Sequence, residues 1–179
     1  YKDEIYNYYH ALYKLNIPVD IVGPEDDLGK DQLLIAPILY MTKTGYDEKI
    51  RTFVKNGGTF VTTFFSGIAD EHDLIVTGGY PGKLRDIMGI WVEESDALPS
   101  GAENHFTYRG KAYPAKLLCD LSHLEGAEAL SVYEEDFYAQ MPAITKNQFG
   151  DGRAYYVATR SNEEFYQNLL AGLCAECGV

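Results

Sequence analysis

Apolar positions recur at two different periods along this chain, and the period changes most clearly between Ile50 and Gly67, IRTFVKNGGTFVTTFFSG. Ile50, Phe53 and Val54 repeat at helical spacing, Gly57-Gly58 stops the helix, and residues 59–65 form an unbroken apolar and β-branched run. A run without polar alternation predicts a strand covered on both faces. It ends at a sharp Ser66-Gly67 turn. Upstream, Ile5, Tyr8, Tyr9, Leu12 and Leu15 share one helical stripe and predict a helix over residues 2–16, which Pro18 closes. Residues 19–22 and 33–39 predict two strands, the second interrupted at Pro37, and a further helix leads up to Asn56.

This alternation over the first third predicts a doubly wound α/β domain of the flavodoxin-like class, with a mostly parallel central sheet and helices on both faces. The pattern loosens beyond Ile68. Short strands are expected at 74–77, 90–92, 104–108, 115–118 and 127–133, with a short helix at 83–88. Strong signals return at 142–149 and 153–159, two strands joined through Gly150-Asp151-Gly152, and in a closing helix. Asn162 caps that helix, Glu163 and Glu164 occupy its first turn, and Phe165, Leu169, Leu170 and Leu173 face inward.

With 179 residues and 46% apolar content, the chain supports one core, so residues 1–179 are read as a single domain. The formal net charge of −12 argues against nucleic acid and anionic membrane partners, both of which need clustered Lys and Arg. No apolar run approaches the ~18 residues of a transmembrane helix. Three cysteines, Cys119, Cys174 and Cys177, do not make a disulfide framework and fit a reducing, cytoplasmic setting. A first residue of Tyr1, without Met or leader, reads as a piece of a longer polypeptide.

Candidate chemistry is sparse. Ser66 follows a strand, but an acyl-transfer elbow reads Gly-x-Ser-x-Gly, and Phe64 stands where the first glycine belongs. A stand-alone hydrolase pairing Ser66 with His72 is one alternative; a small-ligand module at the carboxyl edge of the sheet is another. Asp70-Glu71-His72-Asp73 reads as a solvated acidic turn rather than a metal site. Cys174 and Cys177 lie at the carboxyl end of the last helix, where the dipole disfavours a thiolate, and no second pair completes a zinc site. No cofactor is expected. Gly78-Gly79-Tyr80-Pro81-Gly82 fits no phosphate-binding motif and reads as a shaped loop. Fifteen tyrosines, eight phenylalanines and Trp91 exceed what one small core needs, which points to aromatic surface meant for burial against a partner.

The run from Leu34 to Leu98, including YMTKTGYDEKIRTFVKNGGTFVTTFFSGIADEHDLIVTGGYPGKLRDIMGIWVEESDAL, resembles the middle, trimerisation domain of glycoside hydrolase family 42 β-galactosidases. The similarity continues through CDLSHLEGAEAL and YEEDFYAQMPAITKNQFGDGRAYYVAT into the closing helix. The resemblance implies a class I glutamine amidotransferase-like fold and a non-catalytic role in building a homotrimer. It also implies a parent chain whose TIM barrel carries both catalytic carboxylates and hydrolyses terminal β-D-galactose with retention. Aligned on Gly67, Phe65 takes the position where amidotransferases carry a nucleophilic cysteine, and phenylalanine has no lone pair with which to attack. The expected partners are therefore further copies of the chain and the barrel, with contacts near Phe64, Phe65, Tyr80, Pro81, Leu84 and Trp91. A cyclic trimer joins two different patches of each chain.

Overall fold

The computed structural model of the chain describes residues 1–29 and 32–179. Helix α1 (Lys2–Lys14) is followed by strands β1 (Leu33–Ala36) and β2 (Met41–Thr42), helix α2 (Tyr46–Lys55), and strands β3 (Thr59–Thr63) and β4 (Ala69–Asp70). A 3-10 turn at Gly82–Leu84 runs into the short helix α3 (Arg85–Met88). Seven strands then succeed one another: β5 (Ile90–Ala97), β6 (Asn104–Tyr108), β7 (Lys111–Leu124), β8 (Glu128–Val132), β9 (Pro142–Phe149), β10 (Gly152–Val157) and β11 (Thr159–Arg160). Helix α4 (Glu163–Cys177) closes the chain.

The expected flavodoxin-like, amidotransferase-like parallel sheet is not what forms. The main sheet runs β1-β3-β10-β9-β8, and only its β1–β3 and β3–β10 pairs are parallel. A second, antiparallel sheet runs β11-β7-β5, with β6 paired to β7. The result is a sheet-rich, mixed and mostly antiparallel domain with a sandwich-like second layer. The physical reason lies in the connections. The tight turn Arg109-Gly110 and the Gly150-Asp151 turn are far too short for a parallel crossover, so the strands they join can only be antiparallel. The crossover through α2 does make β1 and β3 parallel neighbours, as the alternation in the first third requires.

All five residues of β3 are buried, which fits a strand covered on both faces. Helix α2 packs against β3 and β10 and α3 against β9 and β10, while α4 presents Phe165 to Phe106, Tyr108 and Tyr113 at ring separations of 5.1, 5.9 and 5.4 Å. Asn162 caps α4 as expected, accepting from the Phe165 amide at 3.0 Å. Helix α1 departs from expectation. Tyr8 and Leu12 are buried, but Ile5 and Tyr9 are exposed, because the inward face is set instead by Glu4, Tyr8, Ala11 and Leu12. Glu4 is fully buried and accepts from Arg160 Nε at 2.7 Å and the Tyr166 hydroxyl at 2.5 Å. Residues 19–22 form no strand, and Ile21 is 89% exposed. Residues 74–77 contribute only an isolated bridge, Ala69 to Ile75.

Candidate functional site

The carboxyl end of β3 runs directly into a strained turn. Phe65 has φ +60°, the left-handed region that costs a bulky L-residue about 1–2 kcal/mol. Strain of this kind persists only where the surroundings over-determine it, and the neighbours show how. The Phe64 amide donates to Val157 O at 2.9 Å, and the Gly67 amide to Leu39 O at 2.8 Å. Ser66 Oγ accepts from the Leu39 amide at 3.0 Å and lies 2.7 Å from Thr62 Oγ1. Thr62 spends its own proton on Ala36 O, so the Ser66 hydroxyl is the donor between the two. Ser66 is thus fully buried with its proton committed, and His72 sits on an exposed turn. A Ser66–His72 nucleophile pair does not assemble.

Gly67 and Gly82 let two backbones touch. A Cβ at Gly67 would lie 2.1 Å from Pro81 O, and one at Gly82 would lie 2.5 Å from Gly67 O. The 78–82 loop therefore packs on its own chain's elbow. Its other side meets Trp91, since a Cβ at Gly79 would lie 2.0 Å from Trp91 Nε1. The Trp91 ring is stacked with His123 at 5.0 Å and approached by the Arg85 guanidinium at 5.7 Å. Arg85 is held in turn by Glu125 and by Gly78 O at 2.6 Å.

These contacts sort the residues expected at the surface. Phe64, Pro81 and Leu84 are buried within the chain, so their side chains do not line an outer face. Tyr80 and Trp91 are half-buried, and Phe65 is 39% exposed. The Phe65 ring stacks with Tyr40 at 6.4 Å. Beside them stand residues that the sequence did not single out: Met41, paired with Ala69, and Leu74 and Ile75, exposed at 64% and 54%. Ala69 bridges Ile75, so Met41 and Ile75 flank one short strand. The elbow thus carries an apolar patch beside the acidic turn. In that turn Asp70 Oδ1 accepts from the His72 and Leu74 amides, which lowers its pKa.

Beneath the elbow lies Asp120 on β7, 1% exposed. It accepts from Ser95 Oγ at 2.5 Å and from the Tyr156 hydroxyl at 2.6 Å. Burial raises its pKa to about 6 against the pull of these donors. The signal in the sequence is the one carboxylate of the strand, set between Cys119 and Leu121.

Other expectations fare plainly. Cys174 is buried and its pKa is raised, first by burial, as suits an unreactive thiol. Among the described residues no group of three or more His, Cys, Asp and Glu is arranged to hold a metal ion. A polar depression of about 330 Å³ lies at the amino edge of the main sheet, lined by Gln32, Gly58, Asp151, Arg153 and Glu176. That is the edge opposite to the one where a doubly wound fold takes its ligand.

Residues 1–179 match the family described as the β-galactosidase trimerisation domain. The chain is 50% identical to β-galactosidase BgaA of Planococcus sp. (strain 'SOS Orange') over 100% of its own length and 27% of that protein. β-Galactosidase LacA of Lactobacillus acidophilus is 45% identical over the same shares. Among solved structures, the β-galactosidase from Bacillus circulans sp. alkalophilus superposes with a TM-score of 0.97 at 49% identity, covering 100% of this chain and 27% of that one. Gan42B, a GH42 β-galactosidase, superposes with a TM-score of 0.93 at 38% identity, covering 97% and 25%. The chain belongs to the β-galactosidase trimerisation domain family. It spans about a quarter of the length of the β-galactosidases it matches.

Proposed function

We propose that residues 1–179 act as one non-catalytic assembly domain within a longer cytoplasmic β-galactosidase, joining three copies of that chain. The observation that carries this reading is the whole-length match to the trimerisation family, made by a chain that spans only 27% of a 50%-identical β-galactosidase. In this reading the TIM barrel lies outside residues 1–179, carries the catalytic carboxylates, and cleaves terminal β-galactosides with retention. The domain contacts both the barrel and a neighbouring copy.

Two observations support a contact role for the elbow. A strained phenylalanine is held partly open to solvent at the turn after β3. Around it, Met41, Leu74 and Ile75 expose apolar surface that a monomer gains nothing by keeping. Phe65 leads the candidate contacts, with Tyr80 and Trp91 at its margin; Phe64, Pro81 and Leu84 back them from inside. The test is the mass of the full-length protein by light scattering, with Phe65→Asp beside it. A trimer that the substitution splits supports the reading, and a wild-type protein that is monomeric at every concentration refutes it.

A further inference from the structure

Helix α1 turns one face to the fold and the opposite face to solvent. Glu4, Tyr8, Ala11 and Leu12 are buried on the side that meets α4. On the other side Tyr6, Tyr9 and Tyr13 follow one another at spacings of three and four, and they are 60%, 46% and 66% exposed. Tyr1 and Ile5 extend this surface at its amino end. Tyrosine suits a water-facing helix position poorly, because it is a weaker helix former than Ala, Lys or Glu and leaves apolar area wet. It suits a contact well, where the rigid ring is covered and the hydroxyl stays at the rim. The Tyr6 ring is already stacked on His10 at 5.3 Å, which reduces the freedom it has left to lose on docking.

Charge selects the complement. Of the two acids of α1, Glu4 is buried and held by Arg160, so Lys2 and Lys14 are exposed against Asp3 alone. The elbow patch carries the opposite sign, since Leu74 and Ile75 directly follow Asp70, Glu71 and Asp73. Phe137 is another exposed aromatic, but it follows Glu134, Glu135 and Asp136 and would set like charges against the elbow. In a chain of net charge −12, an aromatic face with lysines at both ends is the exception.

We propose that the outer face of α1 is the second half of the ring contact and receives the elbow patch of the neighbouring copy. This rests on the assembly reading above and completes it, because a cyclic trimer joins two unlike patches and the elbow supplies one. In each contact Tyr6, Tyr9 and Tyr13 of one copy cover Phe65, Leu74 and Ile75 of the next. The lysines at the ends of α1 are brought against the carboxylates of the 70–73 turn.

The experiment mixes two broken copies of the full-length protein and reads mass by light scattering. Tyr6→Asp spoils the α1 face and keeps the elbow, and Phe65→Asp does the reverse. Both positions are exposed, so the fold is expected to be kept, which circular dichroism checks. Each variant alone has the mass of one chain where the wild type has that of three. The mixture rises toward two, because one intact α1 face still meets one intact elbow. Tyr13→Ser, on the same face, raises the dissociation constant about ten-fold. If Tyr6→Asp and Tyr13→Ser assemble like the wild type while Phe65→Asp does not, the proposal is overturned and the assembly reading stands. Broken copies that stay apart on mixing also overturn it. A wild type that is monomeric at every concentration removes the assembly reading, and this contact with it.

Discussion

Phe64 and Phe65 are neighbours in sequence with opposite fates, and replacing each by alanine separates a packing role from a contact role. Phe64 is 2% exposed. Its truncation leaves a cavity behind β3 and costs about 3–5 kcal/mol. For a domain of this size, each kcal/mol moves the melting temperature by about 2–4 °C, so the expected drop is about 6–20 °C. Phe65 is 39% exposed, and its ring touches chiefly Tyr40. Alanine at φ +60° is no more comfortable than phenylalanine, so the backbone strain is unchanged and the chain loses about 1 kcal/mol or less. In the assembled protein the same truncation removes an aromatic anchor, about 2 kcal/mol, or roughly thirty-fold in dissociation constant. Calorimetry gives the first pair of numbers and concentration-dependent light scattering the second. The reasoning is refuted if Phe65→Ala melts as low as Phe64→Ala, or if it leaves the dissociation constant where it was.

Gly67→Ala is expected to cost about 3 kcal/mol or more in chemical unfolding, from the left-handed backbone and a 2.1 Å approach to Pro81 O that no side-chain rotation relieves. Gly101→Ala, with φ +85° and open space around it, pays the backbone term alone, about 1–2 kcal/mol. Glu4→Ala strands Arg160 and the Tyr166 hydroxyl and is expected to cost about 3 kcal/mol, read as faster proteolysis within α1. For Asp120, the folded pKa of about 6 stands above the unfolded 3.8. Its contribution is therefore full below pH 4 and lost as pH rises through 6, about 3 kcal/mol in all. The difference between wild type and Asp120→Asn in denaturant titrations from pH 4 to pH 7 isolates it; a difference that does not vary with pH would contradict the assignment.

Local structure was legible where one signal dominated. The Asn162 cap, the Gly57-Gly58 stop and the Gly150-Asp151 turn were readable because each is fixed by residues adjacent in sequence. Strand direction beyond β3 was not, because it depends on which strands meet, and short turns between loosely patterned segments carry that information weakly. The stripe on α1 misled for a related reason. Tyr9 and Ile5 look apolar by type, yet the buried face includes Glu4, whose partners Arg160 and Tyr166 lie at the other end of the chain. At the turn after β3 the sequence named Phe64, Phe65, Pro81 and Leu84 alike as contacts and could not show that Phe64, Pro81 and Leu84 turn inward. Asp120 escaped notice because a single acid in a strand declares nothing until Ser95 and Tyr156 are folded around it.

The central claim is that this domain itself carries assembly information. Its most direct test is the solution mass of the 179-residue chain across a wide concentration range. The account predicts a mass rising toward three times 20.1 kDa as concentration increases. A chain that remains at 20.1 kDa throughout would contradict it and move the contacts elsewhere in the parent protein.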